Sequence, residues 1–157
     1  MLSKNYQKGF SLIELLIVVA IVGIIAALAV PNLIASRKAA NEASAISAIR
    51  TLTSAEESYR STYGAGNFGT LADLTGRQLI DGQLGGATTA ASAKSGFVMG
   101  VVVSGDGDYY TAGAAPATVN SGSRNFSSDT PGVIYVHPLN IATPPISTAG
   151  GTPLSQN

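Results

Sequence analysis

One run of side chains limits what this chain can become: Phe10 to Val30, 21 residues that contain a single charge, Glu14. A helix of that length spans about 30 Å, the thickness of the hydrocarbon layer of a bilayer. A soluble domain has no use for so long an apolar segment on its surface. The segment is expected to enter a membrane, to be removed, or to be buried against other chains. Lys4 and Lys8 precede it, and no acid accompanies them. That bias holds the N-terminus in the cytoplasm and directs the rest of the chain outward, as a single-pass topology.

An ordinary secretory signal peptide shares some of these features: a basic start, an apolar run and the small-x-small stretch Ala27-Leu28-Ala29. Two features depart from it. The uninterrupted run from Leu15 to Val30 is 16 residues, longer than a usual apolar region, and Glu14 stands inside the hydrophobic segment. A carboxylate within a membrane helix costs about 2.5–3.5 kcal/mol on insertion scales, so such residues tend to be functional and to have a partner. Near the cytoplasmic end, Glu14 also has headgroup water in reach. A new α-amino group four residues earlier, at Phe10, is a suitable cation, and cleavage after Gly9 creates one.

Lys8 to Asn32, KGFSLIELLIVVAIVGIIAALAVPN, resembles the class III signal sequence of type IV prepilins and type II secretion pseudopilins. The resemblance covers about the first 60 residues. It implies that a membrane-embedded prepilin peptidase/methyltransferase cuts after Gly9 and methylates the new terminus at Phe10. It implies that Glu14 pairs with the N-terminal amine of a neighbouring subunit, and that Pro31 bends the helix where it leaves the membrane. It also implies partners: further copies of the chain in a helical filament, an inner-membrane assembly platform, minor pilins, and lipid before assembly. The expected localisation is the inner membrane, then an extracellular pilus fibre or a periplasmic pseudopilus.

The residues alone lead to a compatible picture. An apolar helix drawn out of lipid must be covered by its copies, and a head-to-tail contact that does not close yields a filament. A charged pair inside such a bundle fixes register more than it adds stability.

Past Pro31, Ile46, Ile49, Leu52 or Thr53, Glu56, Tyr59 and Tyr63 recur every three to four residues, with Ala43 extending the row, the mark of an amphipathic helix. Phe10 to Tyr63 is 54 residues, about 80 Å of helix. Gly64 is the expected stop. Gly23 and Pro31 are the expected points of bending.

Strands are expected at Phe97–Val103, Asp108–Thr111 and Val133–Val136, with a turn at Gly105-Asp106-Gly107 and a long loop over Gly113–Asp129. The expected fold is α+β, a long N-terminal helix packed by its upper half against an antiparallel sheet of about three strands. The expected organisation is a leader at 1–9, a transmembrane and filament-core helix at 10–30, an amphipathic helix at 31–63, a head at 64–137 and a flexible or extended tail at 138–157. There is no Cys, so something other than a disulfide must fasten the C-terminal part of the head.

Several local patterns imitate chemistry. Gly64, Gly66 and Gly69 spell G-x-G-x-x-G but follow a helix rather than a strand, which reads as a connector. His137 is the only His, too little for a typical zinc site and a single candidate base for any catalytic triad. Asp106 and Asp108 offer oxygens for a cation but are explained by the turn. Lys plus Arg equals Asp plus Glu, nine each, which argues against a general nucleic-acid binder. No enzyme, cofactor or metal is expected. The chain is expected to be structural, with an exported binding domain behind an ordinary signal peptide or an uncleaved anchor as the reading from another class.

Overall fold

The computed structural model describes residues 10–154 except Pro131, Ile146 and Thr148. The leader 1–9, Gly9 included, and the last three residues lie outside the described residues. The chain forms two compact units, one ending at Ser36 and one beginning at Arg37. Helix α1, Leu12–Thr62, contributes to both.

The second unit is α+β. From Glu42 to Glu56, α1 buries Glu42, Ala45, Ala48, Ile49, Leu52, Ala55 and Glu56. These positions recur at the three- and four-residue spacing of one helix face. Two short helices follow, α2 at Leu71–Gly76 and α3 at Gly82–Gly85. Each begins where a side chain satisfies a free N–H: Thr70 and Asp73 form a reciprocal box at α2, and Asp81 Oδ1 accepts from Leu84 N–H at 2.6 Å at α3.

Five antiparallel strands make one sheet in the order β1-β2-β3-β4-β5: Phe97–Val103, Tyr110–Pro116, Asn125–Asp129, Ile134–His137 and Thr152–Pro153. Phe97, Met99, Tyr110, Ala112, Ala114 and Phe126 face inward and join the buried α1 residues in one apolar core. The first strand has the expected bounds. The second runs five residues past the expected Thr111, and β3 lies inside the stretch expected to be a loop.

The opposite face of β2 and β3 is buried as well. Gly100, Gly113 and Ser127 stand side by side across β1, β2 and β3. Pro144 and Pro145 cover the two glycines: a Cβ on Gly113 would lie 2.2 Å from the Pro145 carbonyl oxygen, and one on Gly100 3.5 Å from Pro144 Cβ. Described residues of the stretch 138–157 are tied to the sheet. Asn125 accepts from Asn140 N–H at 3.0 Å and donates to the Asn140 carbonyl at 2.9 Å, while Ala142 N–H donates to the Pro116 carbonyl at 2.8 Å. Beyond it, β5 pairs with β4, and Leu154 N–H donates to the Ile134 carbonyl at 2.8 Å. This strap ties down the C-terminal region without a disulfide.

A second clasp holds the other loop. Glu42 accepts from Ser123 N–H at 2.7 Å and from Arg124 Nη2 and Nε at 2.6 and 3.0 Å. Asn41 donates to the Ser121 carbonyl at 3.0 Å beside it.

Candidate functional site

The first unit is built from the apolar run. Helix α1 starts at Leu12, and the side chain of Glu14 turns back so that Ser11 N–H donates to Oε2 at 2.9 Å. This is half of the box that caps helix starts, and it satisfies one of the N–H groups a helix leaves free at that end. Glu14 thus carries the acceptor that the sequence singles out, at the edge of the helix, three residues from Ser11 and four from Phe10.

From Phe10, 86% exposed, to Ile34, 40% exposed, every described Leu, Ile and Val side chain is exposed. They project on all sides, so this part of α1 is apolar all round rather than amphipathic. It is long and apolar enough to cross a membrane. Around Gly23 nothing lies within 4 Å of where a Cβ would sit, so the residue leaves open surface. Pro31 lies inside α1 and has no N–H to give to Ala27. One residue on, Asn32 Nδ2 donates to the Leu28 carbonyl at 3.1 Å. The helix is continuous through both positions.

The patterns that imitate chemistry are occupied by structure. Ser127 Oγ and His137 Nε2 are 2.7 Å apart, but Ser127 is wholly buried. Burial lowers the His137 pKa, which favours the neutral ring. The Asp106 carboxylate accepts from Ser104 Oγ and, at 3.4 Å, from Asp108 N–H, closing the β1–β2 turn. Its pKa is lowered, the Ser104 hydrogen bond first among the causes. Among the described residues no three His, Cys, Asp or Glu side chains gather as a metal site. Gly64, Gly66 and Gly69 lie in the connector between α1 and α2, where Gly66 has φ +100°. That is a backbone conformation suited to glycine.

Two acids have roles that spacing alone does not reveal. Glu56 falls on the expected stripe, yet it is fully buried. Glu42 shares the row with Ala45, Ile49 and Leu52, a signal that it too faces inward.

Comparison with known proteins agrees on where the signal lies. The prokaryotic N-terminal methylation motif matches residues 4–30. The chain is 66% identical over 35 residues to the type IV wide pilus major component PilA4 of Thermus thermophilus, covering 22% of this chain and 27% of that one. It is 39% identical over 59 residues to the type II secretion system core protein G of Aeromonas hydrophila, covering 38% and 41%. It is 38% identical over 96 residues to the type IV major fimbrial protein FimA of Dichelobacter nodosus, covering 59% of each. The chain thus spans between about a quarter and three fifths of the length of these relatives. No solved structure matches it. A continuous apolar helix from Leu12, an acid capping its start and the match over residues 4–30 coincide, so the chain carries the N-terminal methylation motif of the type IV pilin and type II secretion pseudopilin family.

Proposed function

We propose that this chain is a structural subunit of a type IV pilus, cleaved after Gly9, N-methylated at Phe10 and polymerised through its apolar N-terminal helix into a surface filament. The observation that carries the reading is the apolar surface of residues 12–34, on which every described Leu, Ile and Val is exposed. An all-round apolar helix requires lipid or copies of itself. In lipid before assembly, Lys4 and Lys8 hold the start of the chain in the cytoplasm. In the fibre, copies of the helix replace lipid, and Glu14 exchanges the Ser11 N–H for the methylated amine of a neighbour. That exchange rewards one axial stagger, so Glu14 acts as a register selector. Gly23 and Pro31 provide the places where the helix adjusts its path between the two settings. The processing enzyme, the inner-membrane platform and minor pilins are the partners that this life cycle needs. The role is structural rather than catalytic.

The second reading is a pseudopilin of a type II secretion system, favoured by the similarity to core protein G over 59 residues. The two differ in where the fibre stands. The test is the intact mass and N-terminal residue of the protein recovered from sheared cell-surface fibres. Fibres containing a chain that starts at N-methylated Phe10 are the expected result. The same processed chain confined to the periplasm selects the pseudopilin. A soluble chain starting near Val30 would overturn both.

A further inference from the structure

Glu56 sits in the core of the head with none of its surface exposed. Its carboxyl accepts one hydrogen bond, from Gly69 N–H to Oε2 at 3.0 Å, and Oε1 is buried without a hydrogen-bond partner among the described residues. The Gly69 N–H favours the charged form, whereas burial, which weighs more, and the acids nearby disfavour it. Glu57 on α1 and Asp73 on α2 bear on it with the same sign. Tyr110 of β2 is buried within its electrostatic reach, and its hydroxyl is pushed up to about 12, by burial first. The cation one turn along α1, Arg60, is engaged elsewhere: its Nε donates to the Gly66 carbonyl at 2.8 Å and its guanidinium lies 4.9 Å from the centre of the Phe68 ring. A carboxylate in such a place is far costlier than a carboxylic acid.

What Glu56 holds is the connector between α1 and α2. Gly64 N–H and Gly66 N–H continue the backbone bonding of α1, to the Tyr59 and Arg60 carbonyls; beyond them Gly69 N–H donates to Glu56, Arg60 Nε donates to the Gly66 carbonyl, and Phe68 N–H donates to the Gly107 carbonyl at 2.9 Å. The connector fits closely, since a Cβ on Gly69 would lie 2.9 Å from the Tyr59 ring.

We propose that Glu56 is a proton-operated latch: protonated, it stays in the core and holds Gly69; ionised, it turns out toward Arg60 and releases the connector. Glu56 and Arg60 are four residues apart on α1, the spacing at which a Glu N-terminal to a cation pairs on a helix surface. Arg60 serves the carboxylate by leaving the Gly66 carbonyl, so one proton lost to water loosens both of these side-chain ties to the connector. Burial, the largest cause, pushes the Glu56 pKa up to about 7 from 4.5. The sign follows from that direction. An unfolded Glu56 loses its proton near 4.5, whereas the folded one keeps it to about 7. The latch therefore contributes fully below 4.5 and is lost as pH rises through about 7.

The test is hydrogen exchange of the full chain in detergent micelles from about pH 5 to 9, read by mass spectrometry after dividing out the intrinsic pH dependence of exchange. Protection of residues 64–70 is expected to fall about tenfold around pH 7 while that of β1 to β3 holds. Glu56→Gln, which mimics the protonated acid, is expected to keep the connector protected throughout. Flat protection in the natural chain, or an equal fall in the Gln chain, overturns the latch. Should the Gln chain fail to fold, the carboxyl ¹³C shift of Glu56 in the natural protein decides the matter. A midpoint near 7 supports the latch, and one in the ordinary Glu range overturns it.

Discussion

The lower and upper stretches of α1 have the same secondary structure but opposite fates. Between Leu12 and Ile34 the side chains are apolar in every direction and all exposed. Between Glu42 and Glu56 one face is buried under the chain's own sheet and the other is polar. Their carboxylates mark the difference. Glu14 is bonded to its own backbone at an exposed helix start. Glu42 is held by Arg124 and Ser123 from far along the sequence, and Glu56 is enclosed. A helix says little about function until one asks where the partner for its apolar surface comes from. For the upper stretch the partner is inside the chain, and for the lower one the proposed partner is lipid or another copy.

The sharpest way to break this comparison is to remove the same kind of group from each stretch. Leu52 is completely buried. Leu52→Ala is expected to lower the stability of the head by about 2–5 kcal/mol, the lost transfer energy plus the cavity. Ile24 is 65% exposed. Ile24→Ala is expected to leave head stability within about 0.5 kcal/mol. Denaturant unfolding of the full chain in detergent, followed by tyrosine fluorescence, measures both. Equal losses would mean that the lower stretch already has its partner in the chain.

The parts of this architecture differ in how much of them shows in the sequence. The strand Phe97–Val103 was plain because β-branched residues dominate it, and its alternate members Phe97 and Met99 reach the core. The strand Asn125–Asp129 was not, because NFSSD has neither high β propensity nor a clear apolar alternation. Its outward residues Asn125 and Ser127 are buried by a strap that arrives later in the chain, so the cause of the strand is tertiary. The same holds for residues 112–116, where small residues are drawn into the sheet by pairing with β1 and, up to Ala114, with β3. In the tail, Pro, Ser, Thr and Gly signalled a flexible or extended backbone, and the groove at Gly100 and Gly113 that receives Pro144 and Pro145 forms only once the strands are paired. Glu14 was legible as a charge in an apolar run. The partner of Glu42 was not, since Arg124 is 82 residues away.

That long-range clasp yields the next prediction. Glu42→Ala leaves Ser123 N–H and the Arg124 guanidinium without their acceptor. Charge-assisted hydrogen bonds of this kind are worth about 1.5–3 kcal/mol. The Arg124 side chain is 50% exposed, so water screens the pair and a loss of about 2 kcal/mol is expected rather than more. Hydrogen exchange of residues 118–124 should rise before that of β1. If only global stability falls and the loop keeps its protection, Glu42 acts through core packing rather than as a clasp.

The finest comparison uses one substitution at two glycines. At Gly23 a Cβ meets nothing within 4 Å, and at Gly113 it meets the Pro145 carbonyl oxygen at 2.2 Å. Alanine is favoured over glycine within a helix by up to about 1 kcal/mol, so Gly23→Ala should be neutral or slightly stabilising, read as helix content by circular dichroism in detergent. Gly113→Ala must displace the strap or shift β2, at a cost of about 1–3 kcal/mol. The strap is the element that can give way, because hydrogen bonds at its ends hold it whereas β2 is paired on both sides. Limited proteolysis should then cut between residues 138 and 154 in the Gly113→Ala chain and spare the natural one. A cut-resistant Gly113→Ala chain of unchanged stability would mean that the strap yields at no cost. The outer layer of the head would then resemble the uncovered helix more than the core it lies on.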